Sequence, residues 1–116
     1  MPLARGDFTQ PDETQRFSKR RVQIVRLGDG PVRRVEVDPG WRWSEHERPE
    51  IGTPSCRLPH VGYVVSGALH VAMDEGPQVQ IAAGQAFQIP PGHDAWTIGD
   101  EACVFVDFAA VLGGRS

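Results

Sequence analysis

Residues 60–73 read HVGYVVSGALHVAM. On both sides of Ser66-Gly67, apolar residues alternate with polar or small ones, the period of two that half-buried strands require. Ser66-Gly67 suits a tight two-residue turn, so the stretch reads as a β-hairpin. In that hairpin Val65 faces Ala68, Val64 faces Leu69, Gly62 faces Val71 and His60 faces Met73. Cross-strand partners share a face. His60, Gly62, Val64, Leu69, Val71 and Met73 therefore lie on one side, and Tyr63, Val65, Ala68 and His70 on the other. The first side is the more apolar and is predicted to face the interior, with His60 at its inner end and His70 turned away.

The same rhythm extends outward in both directions. Upstream, residues 22–27 and 32–37 read as strands, ended by Gly28-Asp29-Gly30-Pro31 and by Asp38-Pro39-Gly40. Residues 41–44 continue as a strand edge. Residues 45–59, which contain Pro49, Pro54, Pro59 and Gly52, read as a loop. Downstream, short strands are predicted at 79–81, 86–89, 95–98 and 103–108, joined by Ala83-Gly84, Pro90-Pro91-Gly92 and Gly99-Asp100. Many short strands at this spacing, with no amphipathic helix of useful length, argue an all-β sandwich or barrel. Its interior face is predicted to hold Gly62, Val64, Leu69, Val71, Ile81, Phe87 and Ile89. Residues 1–19 lack this periodicity and read as an N-terminal arm with one short strand at most, lying over the domain or a partner subunit. The barrel is expected over 20–110 and a C-terminal tail over 111–116.

Bulk properties agree. A chain of 116 residues holds one core, and Gly 13 with Pro 10 demands many turns. The net charge is −3, and the basic residues, Arg apart from Lys19, are scattered without a block of interleaved aromatics, which argues against nucleic acid. No apolar run approaches the ~20 residues that span a bilayer. The stretch MPLARGDFTQPDETQ carries no apolar signal region, so a cytoplasmic location is the expectation. There Cys56 and Cys103 are expected as free thiols or a ligand rather than a disulfide. Phosphate loops, Gly-x-Ser-x-Gly and HExxH are absent from the sequence.

Two stretches resemble the motifs of the cupins. Gly84-Gln-Ala-Phe-Gln-Ile-Pro90-Pro91-Gly92 matches the second motif, in which Gly, five residues, Pro, one residue and Gly precede a His. In the first motif Gly40 is followed after five residues by His46, and Gly67 closes it. The segments PGWRWSEH, GTPSC, PHVGYVVSG and IPPGHDAW are similar to those of small bacterial single-domain cupins, over about residues 30–109. The resemblance implies an antiparallel double-stranded β-helix, or jelly-roll barrel, that holds a divalent transition metal at its mouth. The pattern also departs from the family's. Extra residues separate His46 from Cys56, so there is no His-x-His. His60 stands where Glu is usual, and the last His is His93, with Ala95 at the usual place.

Carried onto this chain, the ligand set is His46, Cys56, His60 and His93. Imidazole and thiolate suit Zn, and imidazole also suits Fe and Ni; Zn, Fe, Mn or Ni are the metals considered. Each residue has a plainer reading beside this one. His60 fits a buried, hydrogen-bonded histidine, and His46 a loop residue flanked by Glu45, Glu47 and Arg48. Cys56 fits a small buried filler, and His93 a turn residue. Asp107 reads as a satisfied carboxylate or as the orienter of a buried group, and Asp94 as a partner to a ligand or a turn former. His70 reads as structural or surface. At most one of Trp41, Trp43 and Trp96 is expected to wall a small-molecule pocket, since tryptophans as often serve core or interface. A Cys56/His60 dyad would be pulled apart by an extended strand without local bending. The functions carried forward are a metal-dependent enzyme acting on a small molecule, of the dioxygenase or isomerase class, and a non-catalytic ligand-binding or sensor module with a structural metal or none. No general acid or base is identified. A homodimer is expected, because an open barrel leaves edges to cover.

Overall fold

The computed structural model describes residues 2–113. Nine strands form two sheets around one core. β1 (Glu13–Phe17), β2 (Arg20–Leu27) and β3 (Gly30–Val37) run as a meander. Two single-turn helices follow, α1 (Trp43–His46) and α2 (Arg48–Ile51). Then come β4 (His60–Ser66), β5 (Ala68–Met73), β6 (Gln78–Ala82), β7 (Ala86–Ile89), β8 (His93–Thr97) and β9 (Cys103–Asp107), and a short helix, α3 (Ala109–Gly113). One sheet has the order β1-β2-β3-β9-β4-β7 and the other β6-β5-β8, with antiparallel pairing throughout. From β4 onward the chain passes repeatedly between the sheets, as a jelly roll does. α3 takes up the first residues of the expected tail; positions 114–116 of that tail lie outside the described residues. Within the expected arm, β1 pairs along its whole length with β2.

The expected hairpin is replaced by a corner. β4 pairs with β7 and β9, and β5 with β6 and β8, so Ser66-Gly67 carries the chain from one sheet to the other. Gly67 has φ +74, and a Cβ there would stand 2.4 Å from the Ala102 carbonyl oxygen. That crowding and the left-handed backbone both require glycine. The facing of side chains is nevertheless as the alternation predicts. Gly62, Val64, Leu69, Val71, Ile81, Phe87 and Ile89 are all buried, while Tyr63 and Val65 are exposed. Alternation is a property of each strand alone, and the inner faces of two stacked sheets meet in one core. Val22, Val35, Val37 and Val64 of the larger sheet pack there with Leu69, Val71, Ile81 and Ala95 of the smaller.

Residues 41–44 do not form a strand edge. Arg42 alone bridges to Trp96 of β8, and the chain then coils into α1. Asp94 holds this turn: its carboxylate accepts from the Ser44 amide at 3.1 Å and from Arg42 Nε at 3.2 Å. The Arg42 guanidinium also lies 4.3 Å above the Trp96 ring. The segment expected as a plain loop contains α2, with Pro49 in its first turn, where a missing amide hydrogen costs nothing. Gly52 ends it at φ +86. β8 begins at His93, two residues before its expected start, because its ladder with β5 continues through Asp94 to the pair Met73 and His93; Cys56 adds an isolated bridge on the other side.

Candidate metal centre

Three of the four expected ligands converge. Cys56, His60 and His93 each offer one donor atom, and these atoms lie within 4.8 Å of one another. Each comes from a different local device. His93 is the first residue of β8, after the Pro90-Pro91-Gly92 turn. Cys56 is sewn to it by backbone: its amide donates to the His93 carbonyl at 2.8 Å, and its carbonyl accepts from Gly92 N at 2.7 Å. His60 opens β4 on the inner face, opposite Ile89. Because Cys56 belongs to the loop, with Pro59 between it and β4, no extended strand separates it from His60. The sulfur lies 3.7 Å from His60 Nε2.

The outer nitrogens of both imidazoles are tied. His60 Nδ1 is 2.6 Å from Asp107 Oδ2, and His93 Nδ1 is 2.8 Å from the Pro90 carbonyl oxygen. A nitrogen facing a carbonyl oxygen must carry the hydrogen, so His93 keeps Nε2 as its acceptor. The rings meet edge to face, with centroids 5.3 Å apart. His93 and Cys56 are buried, and His60 is half-buried.

Charge is distributed unevenly here. Burial raises the pKa of the Cys56 thiol, but hydrogen bonds with His60 and His93 outweigh it and bring the thiol down from 9.0 to about 6. Burial lowers that of His60, yet its bonds with Asp107 and Cys56 win and lift it from 6.5 to about 9. Asp107 is itself depressed: burial is outweighed by the bonds from His60 and the Ala109 amide. In the metal-free molecule the chain Cys56–His60–Asp107 is thus a thiolate, an imidazolium and a carboxylate.

His46 is not part of this cluster. It ends α1, and its Nδ1 lies 3.0 Å from both the amide nitrogen and the carbonyl oxygen of Arg42. The helical turn that replaces the expected strand edge removes it from the site. His70 stacks on Trp96 outside the barrel, with centroids 4.4 Å apart. Asp94 serves α1 rather than a ligand. Asp107, by contrast, orients His60, and two groups not singled out from the sequence, Glu47 and Arg33, join the site's surroundings. Glu47 accepts from Trp41 Nε1 at 3.1 Å and stands 3.2 Å from Arg20 Nε, an ion pair whose angle is too poor for a hydrogen bond. Burial raises its pKa against the pull of Arg20 and Trp41. Arg33 sits on the inner face of β3, opposite Asp107. Periodicity could have put Arg33 and Asp107 on inner faces; that they are neighbours depends on β3 pairing with β9.

All three cluster residues line a cavity of about 700 Å³. Its walls include Trp41, Trp43, Leu69, Phe87, Ile89 and Phe105. Two of the three tryptophans therefore wall the pocket, and Trp96 lies outside it.

Solved structures share this architecture. The polyketide cyclase RemF from Streptomyces resistomycificus is 20% identical over 91% of this chain and 78% of its own, with TM-score 0.63. A cupin-like protein from Thermotoga maritima is 18% identical over 76% and 65%, with TM-score 0.53. The fold is a cupin barrel. KdgF from Halomonas sp. has the same fold at 24% identity, covering 82% of this chain and 84% of its own, with TM-score 0.56. At these identities the likeness is one of fold. No protein-family model and no curated sequence matches the chain. In this cupin barrel the cluster draws on β4, β8 and the loop that replaces the His-x-His segment.

Proposed function

We propose that this protein holds one divalent transition metal on Cys56 Sγ, His60 Nε2 and His93 Nε2, and uses it on a small molecule bound in the adjoining cavity. The observation that carries this reading is the pair of tied outer nitrogens. Metal-binding histidines characteristically donate their other N–H to a carboxylate or a backbone carbonyl, which sets tautomer and ring orientation. Here Asp107 and Pro90 are those partners.

The donor set fits a metal by its chemistry. One thiolate and two imidazoles suit Zn best and Fe or Ni next, and the soft sulfur makes Mn a poor match. Three protein donors leave a coordination position open, as sites that act on substrate do. When bound there, the metal supplies Lewis-acid polarisation of a substrate oxygen. The chain's own part is to hold Nε2 of both histidines toward the cavity, to keep the hydrogen on His60 Nδ1, where it is donated to the Asp107 carboxylate, and to exclude water with apolar walls. Of the two reaction classes, isomerisation is favoured over dioxygenation, because a thiolate-containing site selects redox-inert Zn. RemF is called a polyketide cyclase, and another protein of this fold, from Silicibacter pomeroyi, a sugar phosphate isomerase.

A second reading uses the same residues without metal. Cys56, His60 and Asp107 stand in the order of a thiolate nucleophile, its base and an orienting carboxylate. In it His93 only helps to hold the thiolate, whereas the metal reading makes all three cluster residues donors. Elemental analysis of protein purified without chelator or affinity tag separates the two. A stoichiometric ion is expected in wild type and in His70→Ala, with loss in His60→Ala, His93→Ala and Cys56→Ser. A metal-free wild type, or equal content in His60→Ala and His70→Ala, overturns the metal reading.

A further inference from the structure

The walls of the cavity constrain what enters it. At about 700 Å³ it has the size of a pocket for a drug-sized organic molecule. Its neutral hydrogen-bonding side chains are few, and Gln15 and Thr53 each already use a donor within the chain. Gln15 Nε2 bonds Glu13 Oε2 at 2.8 Å, and the Thr53 hydroxyl donates to the Ser55 carbonyl at 2.8 Å. A ligand rich in hydroxyls would bury them against Trp41, Trp43, Phe87 and Phe105 without partners, which opposes its binding. A flat carbon skeleton meets no such cost. The mouth repeats the pattern, since Ile51 and Leu58 line it with 55% and 64% of their surface exposed. A ligand seated there would cover them.

Charge sets the second constraint. Five charged groups besides the metal cluster line the cavity: Arg20, Arg33, Arg57, Glu47 and Asp107. Glu47 is paired with Arg20, and Asp107 with His60. Both carboxylates are thereby used. Arg33 and Arg57 make no side-chain hydrogen bond or ion pair among the described residues. Glu13, the nearby acid that feels Arg33, is already bonded to Arg26 and Gln15. Arg57 is exposed at the rim. Arg33 is set into the sheet wall in one cross-strand row with Glu13, Ile24, Asp107, Gly62 and Phe87. The cavity thus presents a guanidinium that makes no side-chain hydrogen bond or ion pair among the described residues, in a row between Glu13 and the carboxylate that orients His60. A guanidinium in that setting selects a planar carboxylate or enolate.

We infer that the ligand of this cavity is a flat, apolar organic acid, with an aromatic or conjugated skeleton, few hydroxyls and its anionic end on Arg33. The inference rests on the cavity being the binding site of the proposed function and goes beyond it by naming the substrate class. Tryptophan fluorescence and calorimetry with 2-naphthoate, its neutral amide and a sugar acid such as glucuronate provide the test. Naphthoate is expected to bind at least tenfold more tightly than the amide, and glucuronate more weakly than either. Arg33→Gln is expected to erase the preference for the acid while leaving amide affinity in place, and Arg33→Lys to restore part of it. Circular dichroism of each variant confirms that it is folded. The same titration on Cys56→Ser separates this inference from the metal reading. A preference that survives in Cys56→Ser and vanishes in Arg33→Gln supports Arg33, whatever the metal content. A preference lost in Cys56→Ser but kept in Arg33→Gln places the anion on the metal and overturns the inference. So does tighter binding of glucuronate than of naphthoate, or no binding of naphthoate at millimolar concentration.

Discussion

At His60 the two ring nitrogens have separate tasks, with Nδ1 held by Asp107 and Nε2 facing the Cys56 sulfur. Asp107→Asn keeps an oxygen to accept from the Ala109 amide but removes the charge that favours the right tautomer. Metal affinity is expected to fall about 10–100-fold with the fold retained, as competition with a colorimetric chelator would measure. The pH dependence follows from the same pair. In the metal-free protein His60 is lifted to about 9, so its contribution to stability is whole below 6.5 and is lost as pH rises through 9. Cys56 is depressed from 9.0 to about 6, so its contribution is whole above 9.0 and is lost as pH falls through 6. The slopes oppose each other, and between pH 6 and 9 the pair leaves the stability of chelator-treated protein nearly flat. Metal affinity behaves differently: the His60 proton must leave, so binding is expected to tighten with each step of pH across that window. The two cysteines should also differ in reactivity. Burial, helped by Glu101, pushes the Cys103 thiol up to about 12. Iodoacetamide is therefore expected to label Cys56 and spare Cys103 at neutral pH, with Cys56 protected once metal is added.

Among the elements, β4 carries the closest constraint. It runs between β9 and β7, and at Gly62 a Cβ would stand 1.7 Å from the Val106 carbonyl oxygen. The obstruction is backbone, which cannot swing aside as a side chain can. Gly62→Ala is expected to destabilise the protein by about 3 kcal/mol, and to weaken the site because His60 and Asp107 flank this contact. Gly52→Ala is the comparison. Gly52, unlike Gly62, has positive φ, at +86, and nothing lies within 4 Å of an added Cβ, so only the backbone conformation is strained. A loss of about 1 kcal/mol is expected there, and thermal melts of the two variants check the contrast. Similar melts would mean that β4 and β9 can part to admit a methyl group.

For the whole molecule, assembly is the open question, and we propose a homodimer. The larger sheet ends in β1 and β7, the smaller in β6 and β8, and such edges invite pairing unless covered. β1 carries Phe17, 43% exposed beneath the Arg20 guanidinium, and β4 presents Tyr63 and Val65 on the outer face of the same sheet. Light scattering at micromolar concentration is expected to give twice the chain mass; a mass of 12.7 kDa would reject the dimer.

What the sequence determined by itself is which side of each strand faces inward, a property of neighbours along the chain. The alternation through HVGYVVSGALHVAM put Val64, Leu69 and Val71 inside and His70 outside, even though the hairpin used to reason about them does not exist. The motif around Gly84–Gly92 likewise placed His93 in a turn near the barrel mouth, two residues before the strand it was expected to precede and in fact opens. Only the tertiary structure decided which strands meet. Ser66-Gly67 is equally suited to a hairpin or to a corner between sheets, and the choice rests on β9, which begins only at Cys103, arriving to pair with β3 and β4. That pairing brings Asp107 to His60 and Arg33 to Asp107. Cys56 joins the cluster through a single bridge to His93, and His46 leaves it because α1 turns where a strand edge was expected. Such contacts are set by packing between distant segments, where local periodicity carries no information about partners.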